Sequence, residues 1–104
     1  MIYLLASIIL VPEKTREFHD IMEREYLPVV EKHGAKLIAA LRTTIGNVDE
    51  VTDIWEFESL EQFERIRRSQ FQDPRYMEVR GKIRALMTAE TLKLTSPLSC
   101  SPLK

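Results

Sequence analysis

The sequence predicts an α+β fold of the ferredoxin-like type, a four-stranded antiparallel sheet with helices on one face. The first observation behind this prediction is the order of strand-like and helix-like periodicities along the chain, β-α-β-β-α-α-β. The second is a central hairpin whose short loop contains Gly46 and Asn47, residue types that tolerate positive φ. Two right-handed β-α-β crossovers joined by one hairpin give this topology.

The first strand is predicted over about residues 3–11, and the first helix over about residues 15–33 with Thr15 as its N-cap. Pro28 lacks an N–H, so we expect it to interrupt the helix near Arg24. Gly34 is expected to end the helix, because glycine readily takes the left-handed conformation. The residues predicted to be buried on this helix are Phe18, Ile21, Met22, Tyr26, Val29 and Val30.

The central hairpin is predicted from residues 35–45 and 51–58, with the turn at Gly46-Asn47. In its second strand, alternate residues point to opposite faces of the sheet. Asp53 and Trp55 therefore share one face with Val51 and Phe57. The pattern predicts a carboxylate beside an indole on a mostly buried face.

Two helices and a final strand complete the predicted fold. Ser59 and Gln62 have the spacing of a capping box that begins one helix. Asp73 and Pro74 begin the next helix as its N-cap and first residue, and the last strand follows over about residues 89–95. The residues predicted to face inward are Leu60, Phe63, Ile66 and the stem of Arg67, then Tyr76, Val79, Ile83, Leu86 and Met87.

The chain is predicted to form one domain over residues 1–96 and a C-terminal arm over 97–104, which is ordered only if something holds it. The net charge of −1 gives no general attraction to nucleic acid or to an anionic membrane. Cys100 has no second cysteine to pair with. The apolar start is too short for a membrane helix and lacks a basic signal-peptide region. We predict a cytoplasmic protein with no membrane span and no nucleic-acid partner.

The apolar residues of the sheet also predict how the protein assembles. Helices on one face leave the other face bare, yet the first strand carries apolar residues on both faces. The second strand likewise has apolar residues in both registers, among them Leu37 and Ile38. Such a patch is too large for a monomer, and two sheets packed face to face in a twofold dimer would cover it. We therefore predict a homodimer.

Several stretches, taken in order, resemble the NIPSNAP family. They are Met1-Ile2-Tyr3, residues 25–37 (EYLPVVEKHGAKL), residues 43–46 (TTIG), residues 51–60 (VTDIWEFESL) and Asp73-Pro74. The resemblance runs from Met1 to about Pro97 and implies the dimeric α/β-barrel superfamily, in agreement with the predicted fold. Most NIPSNAP-like proteins are uncharacterised, with proposed roles in binding and trafficking. The wider superfamily includes cofactor-free quinone-forming monooxygenases, haem-degrading enzymes and small isomerases.

The resemblance also bears on cofactors. Haem-degrading relatives bind iron through a histidine of the second helix, where this chain has Phe63 to Arg68 and no histidine. His19 and His33 are the only histidines, they are far apart in the chain, and neither has a cysteine nearby to complete a metal site. We therefore expect no metal and no other cofactor.

Trp55 and Asp53 are the first candidates for a site. The resemblance implies that Trp55 lines a cavity between sheet and helices, although a tryptophan can equally be a large core residue. Asp53 stands where family members often carry a histidine. A buried carboxylate needs either a cation, such as Arg42 on the neighbouring strand, or a polar cavity, and a solvated position at the strand end is a further alternative. In a cavity its pKa could rise enough for proton transfer.

The first helix supplies two more candidates. His19 lies beside the buried stripe, and either reaches a cavity, where it could transfer a proton, or stays half exposed. The buried phenol of Tyr26 needs a partner, which a ligand, a water or a backbone carbonyl can supply. The catalytic candidates are thus Asp53 and His19, and the ligand-binding candidates are Trp55, Asp53, Tyr26 and Arg42.

Charge is unevenly distributed over the second half of the chain. Residues 46–64 hold seven acidic side chains and no basic one, and residues 65–84 hold seven basic side chains against Asp73 and Glu78. Two solvated helix faces would explain this pattern. The alternatives are an anion site, or complementary surfaces that guide self-association.

Three functions remain open from the sequence. The first is a homodimer whose cavity binds a small apolar or aromatic molecule. The second is a cofactor-independent monooxygenase or isomerase, in which Trp55 packs the substrate and Asp53 or His19 transfers a proton. The third is a structural or interaction module whose interior is filled by its own side chains.

Overall fold

A computed structural model describes all residues, Met1–Lys104. The sheet has the order β2-β3-β1-β4 with every neighbouring pair antiparallel, so the predicted ferredoxin-like fold is confirmed. Its elements are β1 (Ile2–Leu10), α1 (Thr15–Ile21), a π-helical turn (Met22–Tyr26), α2 (Leu27–Lys32), β2 (Lys36–Arg42), β3 (Glu50–Phe57), α3 (Leu60–Phe71), α4 (Pro74–Arg84) and β4 (Met87–Thr95).

The helices cover one face of the sheet, and the core lies between them. The predicted alternation in β3 is confirmed, since Val51, Asp53, Trp55 and Phe57 are all buried and the residues between them are only half-buried. In β1, the even-numbered residues Ala6, Ile8 and Leu10 are buried on the same helix-covered face. This face carries the residues that matter for a site.

The helical segment before β2 is interrupted where Pro28 predicts it. Pro28 has no N–H to donate to the carbonyl of Arg24, and a π-helical turn from Met22 to Tyr26 occupies that stretch. Gly34 follows α2 with a φ of 99°, as expected for the residue that ends a helix. The prediction of Thr15 as N-cap was wrong, because Lys14 is the N-cap of α1. The carbonyl of Lys14 accepts the first helical hydrogen bond, from the Phe18 N–H.

The hairpin differs from its prediction in two ways. β2 ends at Arg42 and not at residue 45, so residues 43–49 form a longer loop, held by Thr43 Oγ1 donating to the Glu50 carbonyl at 2.9 Å. β2 also contains a bulge between Leu37 and Ala39, which leaves Ile38 without a partner on β3. After the bulge, Ala40 and Arg42 lie on the helix-covered face, opposite Asp53 and Val51.

Both predicted N-caps in the second half are confirmed. Ser59 Oγ accepts from the Gln62 N–H at 3.1 Å, and Asp73 Oδ1 accepts from the Arg75 N–H at 2.9 Å. The inward placement of Leu60 was wrong, because it occupies the first turn of α3 and is 52% exposed. Gln70, which the periodicity did not single out, is buried on that helix instead.

The outer face of the sheet has no helix over it. It carries the apolar residues Leu5, Ile9 and Ile54, all of them half-buried. It also carries charged residues, among which Lys36 on β2 forms an ion pair with Glu56 on β3 at 3.2 Å. The homodimer and the 97–104 arm both stay predictions, as does the cytoplasmic location. None of the helices has the length and apolar character needed to cross a membrane.

Candidate functional site

A cavity of about 130 Å³ lies between the helix-covered face of the sheet and the helices. Hydrophobic residues make up 17 of the 23 residues that line it, so its interior is mainly apolar. Its wall includes the exposed side chains of Phe71, Arg84 and Leu92, so the cavity reaches the protein surface near them.

Aromatic side chains form one continuous side of this cavity. The Tyr26 ring meets Trp55 edge-on with centroids 6.2 Å apart, and meets Tyr76 at 6.1 Å. Tyr76 in turn contacts Phe71 edge-on at 5.7 Å. The π-helical turn contributes both Met22 and Tyr26 to the lining, so the irregularity caused by Pro28 helps to shape the cavity. Such a wall suits flat, apolar ligands.

Asp53 is the one acidic side chain buried in the wall. It is 5% exposed and has no hydrogen bond or ion pair with another side chain, yet no fully enclosed polar side-chain atom lacks a partner. Its carboxylate oxygens must therefore border the open space of the cavity. Burial, and secondarily the charge of Glu90, raises the pKa of Asp53 to about 6.

Uncharged polar groups also line the cavity. Gln70 is 8% exposed, and no other side chain hydrogen-bonds to its amide. Burial, together with the neighbouring Tyr76 phenol, raises the pKa of Tyr26 far above its usual range, so Tyr26 stays neutral and can donate. An apolar cavity with a few polar groups is the usual form of a small-molecule site.

Charged side chains lie where the cavity reaches the surface. Arg84 and Glu90 form an ion pair at 3.9 Å. Arg67 and Arg80 also line the cavity, and both guanidinium groups lie over the ring of Phe71, at 5.4 and 5.2 Å from its centroid. Apart from Asp53 and Glu90, no acidic residue lines the cavity.

The structure brings together three of the five residues predicted for the site. Trp55, Asp53 and Tyr26 line the cavity. His19 does not, since its side chain is 72% exposed and lies 3.7 Å from Glu23 on the outer side of the helix. Arg42 does not either, because it is exposed on the edge strand β2, two residues beyond the Ala40 that faces Asp53. Asp53 forms no ion pair and is buried, and the cavity that it lines is mainly apolar, unlike the polar cavity considered for it.

The sequence prediction missed Gln70, Phe71, Arg80 and Glu90 as cavity residues. Helical spacing could have found the first three. Gln70 lies four residues after Ile66, Phe71 four after Arg67, and Arg80 four after Tyr76, so each shares a face with a residue already placed inward. Glu90 could not have been found in this way, because its position depends on the pairing of β4 with β1.

His33, Ser69 and Asp73 form a second polar cluster, outside the cavity. His33 Nδ1 lies 2.6 Å from Ser69 Oγ, and His33 Nε2 lies 2.7 Å from Asp73 Oδ2. The bond from His33 is the main reason why the pKa of Asp73 is lowered. Although the residue types are those of a hydrolytic triad, none of the three lines the cavity and Ser69 lies within a regular helix. The cluster joins the end of α2 to α3 and to the N-cap of α4.

No group of three or more histidine, cysteine or acidic residues is placed to hold a metal ion.

Comparison with known proteins shows which family the chain belongs to. The sequence model of the NIPSNAP family matches residues 3–102. The chain belongs to the NIPSNAP family. Among curated proteins, no sequence matches it.

Solved structures of NIPSNAP proteins share the whole fold. A NIPSNAP family protein of unknown function from Agrobacterium tumefaciens is 27% identical, with a TM-score of 0.93 over 100% of this chain and 94% of that one. An uncharacterised NIPSNAP-like domain protein from Burkholderia xenovorans is 30% identical, with a TM-score of 0.88 over 97% of this chain and 88% of that one.

The same fold also occurs in a protein that is not described as a NIPSNAP protein. A cofactor-independent oxygenase from Streptomyces nogalater has a TM-score of 0.72 with this NIPSNAP protein, over 97% of this chain and 96% of that one. The two sequences are only 14% identical, so this similarity concerns the fold alone.

Proposed function

We propose that this NIPSNAP protein binds a small apolar or aromatic molecule in the cavity beneath the helices. The observation that carries the proposal is the cavity itself, about 130 Å³ with a mainly apolar and aromatic lining. An engineered apolar cavity of roughly 150 Å³ in another protein binds benzene, so the space suits a single aromatic ring. A structural module would fill this space with its own side chains, which makes the cavity an argument against that alternative.

Trp55 provides a direct test of the proposal. It is the only tryptophan and it lines the cavity, so its fluorescence reports on occupancy without a label. Titration with small aromatic compounds should change its intensity or wavelength in a saturable way. As a control for non-specific quenching, the variant Ala6→Leu places extra atoms in the cavity wall and should weaken the response.

A cofactor-independent oxygenase or isomerase is the second candidate function. Asp53 supports it, because a carboxylate without a partner, facing an apolar cavity and with a pKa near 6, is suited to accept a proton from a bound substrate. The fold of the Streptomyces nogalater oxygenase agrees with such chemistry. The side chain of His19 is 72% exposed and does not line the cavity, so it is not positioned to transfer a proton there.

The variant Asp53→Asn separates the two candidates once a ligand is known. In an enzyme that uses this carboxylate as a base, the variant should lose turnover while keeping ligand affinity, because the amide has nearly the same shape. If turnover of a confirmed substrate survives, Asp53 has no part in the reaction. A binding protein without enzymatic activity should show no turnover in either form.

We also propose that the protein is a homodimer joined through the outer faces of its sheets. The support is the uncovered apolar pair of Leu5 and Ile54, which lie opposite one another on the outer face, with Ile9 further along β1. A twofold axis would place these side chains against their own copies. A solution mass equal to one folded chain at micromolar concentration would contradict this proposal.

A further inference from the structure

We propose that the ligand of this cavity is an aromatic or apolar carboxylate, whose charged group is bound by Arg67 and Arg80. This inference rests on the proposed binding function and adds the chemical class of the ligand. It also gives a specific role to part of the basic segment between residues 65 and 84.

The first support is that these two arginines differ from all the others. Of the nine arginines in the chain, seven are exposed, and only Arg67 and Arg80 are half-buried. Neither forms an ion pair. Of the seven exposed arginines only Arg75 and Arg84 do, so Arg67 and Arg80 are distinguished by being half-buried and unpaired together. A half-buried guanidinium without an anion has lost part of its hydration and gained no partner in exchange. A bound carboxylate would supply that partner.

The second support is the place where the two cations lie. Their Cζ atoms are 5.4 and 5.2 Å from the centroid of the Phe71 ring, and Arg67 also lies over Phe63 at 5.5 Å. Phe71 is 40% exposed and lines the cavity, so both guanidinium groups lie at the entrance and beside the apolar interior. Stacking on rings orients a guanidinium while leaving its N–H groups free to donate to a carboxylate.

The other charges of the cavity favour a ligand with one negative charge. Glu90 and Arg84 offset one another at 3.9 Å. That leaves the two positive charges of Arg67 and Arg80 and the one negative charge of Asp53, which is largely ionised at pH 7.5 because its pKa is about 6, so the cavity has a net charge of +1. A monoanion therefore matches the net charge, with its carboxylate at the arginines and its apolar body against Trp55 and Tyr26.

The test compares two probes of nearly equal shape, benzoate and neutral benzamide, by titrating the fluorescence of Trp55 in the full-length protein. We expect benzoate to bind about tenfold more tightly than benzamide, since charge-assisted hydrogen bonds exceed neutral ones. Arg67→Gln and Arg80→Gln should each weaken benzoate about tenfold and leave benzamide unchanged. The matched control is Arg68→Gln, which alters an exposed arginine outside the cavity and should change neither affinity.

The outcomes separate this inference from the function on which it rests. Equal affinities for benzoate and benzamide would overturn the carboxylate assignment and leave the aromatic-binding proposal standing. Equal weakening of both probes in Arg67→Gln and Arg80→Gln would also overturn it, because it would show that the arginines only support the cavity wall. If neither probe affects Trp55, the binding function itself fails. Circular dichroism of each variant checks that it is folded.

Discussion

At the scale of single residues, Asp53 shows most clearly how position sets chemistry. Strand alternation alone places it beside Trp55 on the buried face, and this much follows from the sequence. Whether Asp53 meets a cation or a cavity depends on which residue of β2 lies opposite it. Only the pairing of the strands, with the bulge in β2, shows that this residue is Ala40 and not Arg42. The position of Arg42, near Asp53 along the sheet but exposed at its edge, illustrates the limit of sequence reasoning.

The raised pKa of Asp53 predicts a pH-dependent effect of the variant Asp53→Asn on stability. The carboxyl has a pKa of about 6 in the folded protein and roughly 3.9 in an unfolded chain, so folding favours its protonated form. The stability that this proton contributes is complete below pH 4 and is lost as the pH rises through 6. The variant should therefore be more stable than the parent by about 1–3 kcal/mol at pH 7.5, with little difference at pH 4.

Urea denaturation at the two pH values measures this effect. Tyr26, Tyr76, Glu90 and the arginines at the cavity entrance are the other charged or titratable groups lining this cavity, and they are common to both proteins. The control is Asp20→Asn, an exposed aspartate without an ion pair, which should change stability little at either pH. A variant less stable than the parent at pH 7.5 would mean that the Asp53 charge is favourable in the fold.

At the scale of secondary-structure elements, two glycines make a matched pair of predictions. Gly34 ends α2 with a φ of 99°, and an added Cβ would lie 3.4 Å from Ile66 Cδ1. Gly34→Ala should therefore cost about 1 kcal/mol or more in the free energy of unfolding, because alanine is strained at this φ. Gly81 lies within α4 with nothing within 4 Å of an added Cβ, so Gly81→Ala should stabilise the protein by about 0.5–1 kcal/mol. Thermal unfolding of both variants checks the opposite signs.

The cluster of His33, Ser69 and Asp73 should stabilise the junction of three helices. His33→Ala removes two short hydrogen bonds and leaves the half-buried Asp73 without its main partner. We expect a loss of about 1–3 kcal/mol in the free energy of unfolding. His19→Ala is the control, since His19 is exposed and should contribute little. Equal effects of the two variants would show that the cluster has no structural role.

The elements themselves were largely predictable, and the reasons are local. The caps at Ser59 and Asp73, the end of a helix at Gly34 and the interruption before Pro28 each follow from the chemistry of one or two residues. The bulge in β2 and the loop of residues 43–49 were not predictable, because they depend on which residues of two distant strands pair. The cavity likewise arises from the packing of separate elements, and no stretch of sequence encodes it alone.

At the scale of the whole molecule, the uncovered sheet face predicts that assembly depends on Leu5 and Ile54, which lie opposite one another on β1 and β3. Leu5→Glu should shift the protein from dimer to monomer, because it places a charge in the apolar interface. Ile45→Glu is the control, since Ile45 is 95% exposed in the loop of residues 43–49. Size-exclusion chromatography with light scattering measures the mass. A parent protein that is already monomeric would contradict the prediction.

Native mass spectrometry of gently purified protein, compared with Ala6→Leu, tests most directly the claim that the cavity holds a small molecule. This measurement gives the number of chains in the assembly and the mass of any bound molecule in one experiment. Ala6 is a small, buried residue of the cavity wall, so a leucine there would occupy part of the cavity. We predict that the parent carries an additional small mass and that the folded variant, with part of the cavity filled, does not. A parent with no additional mass, which also fails to take up aromatic compounds when they are added, would contradict the claim.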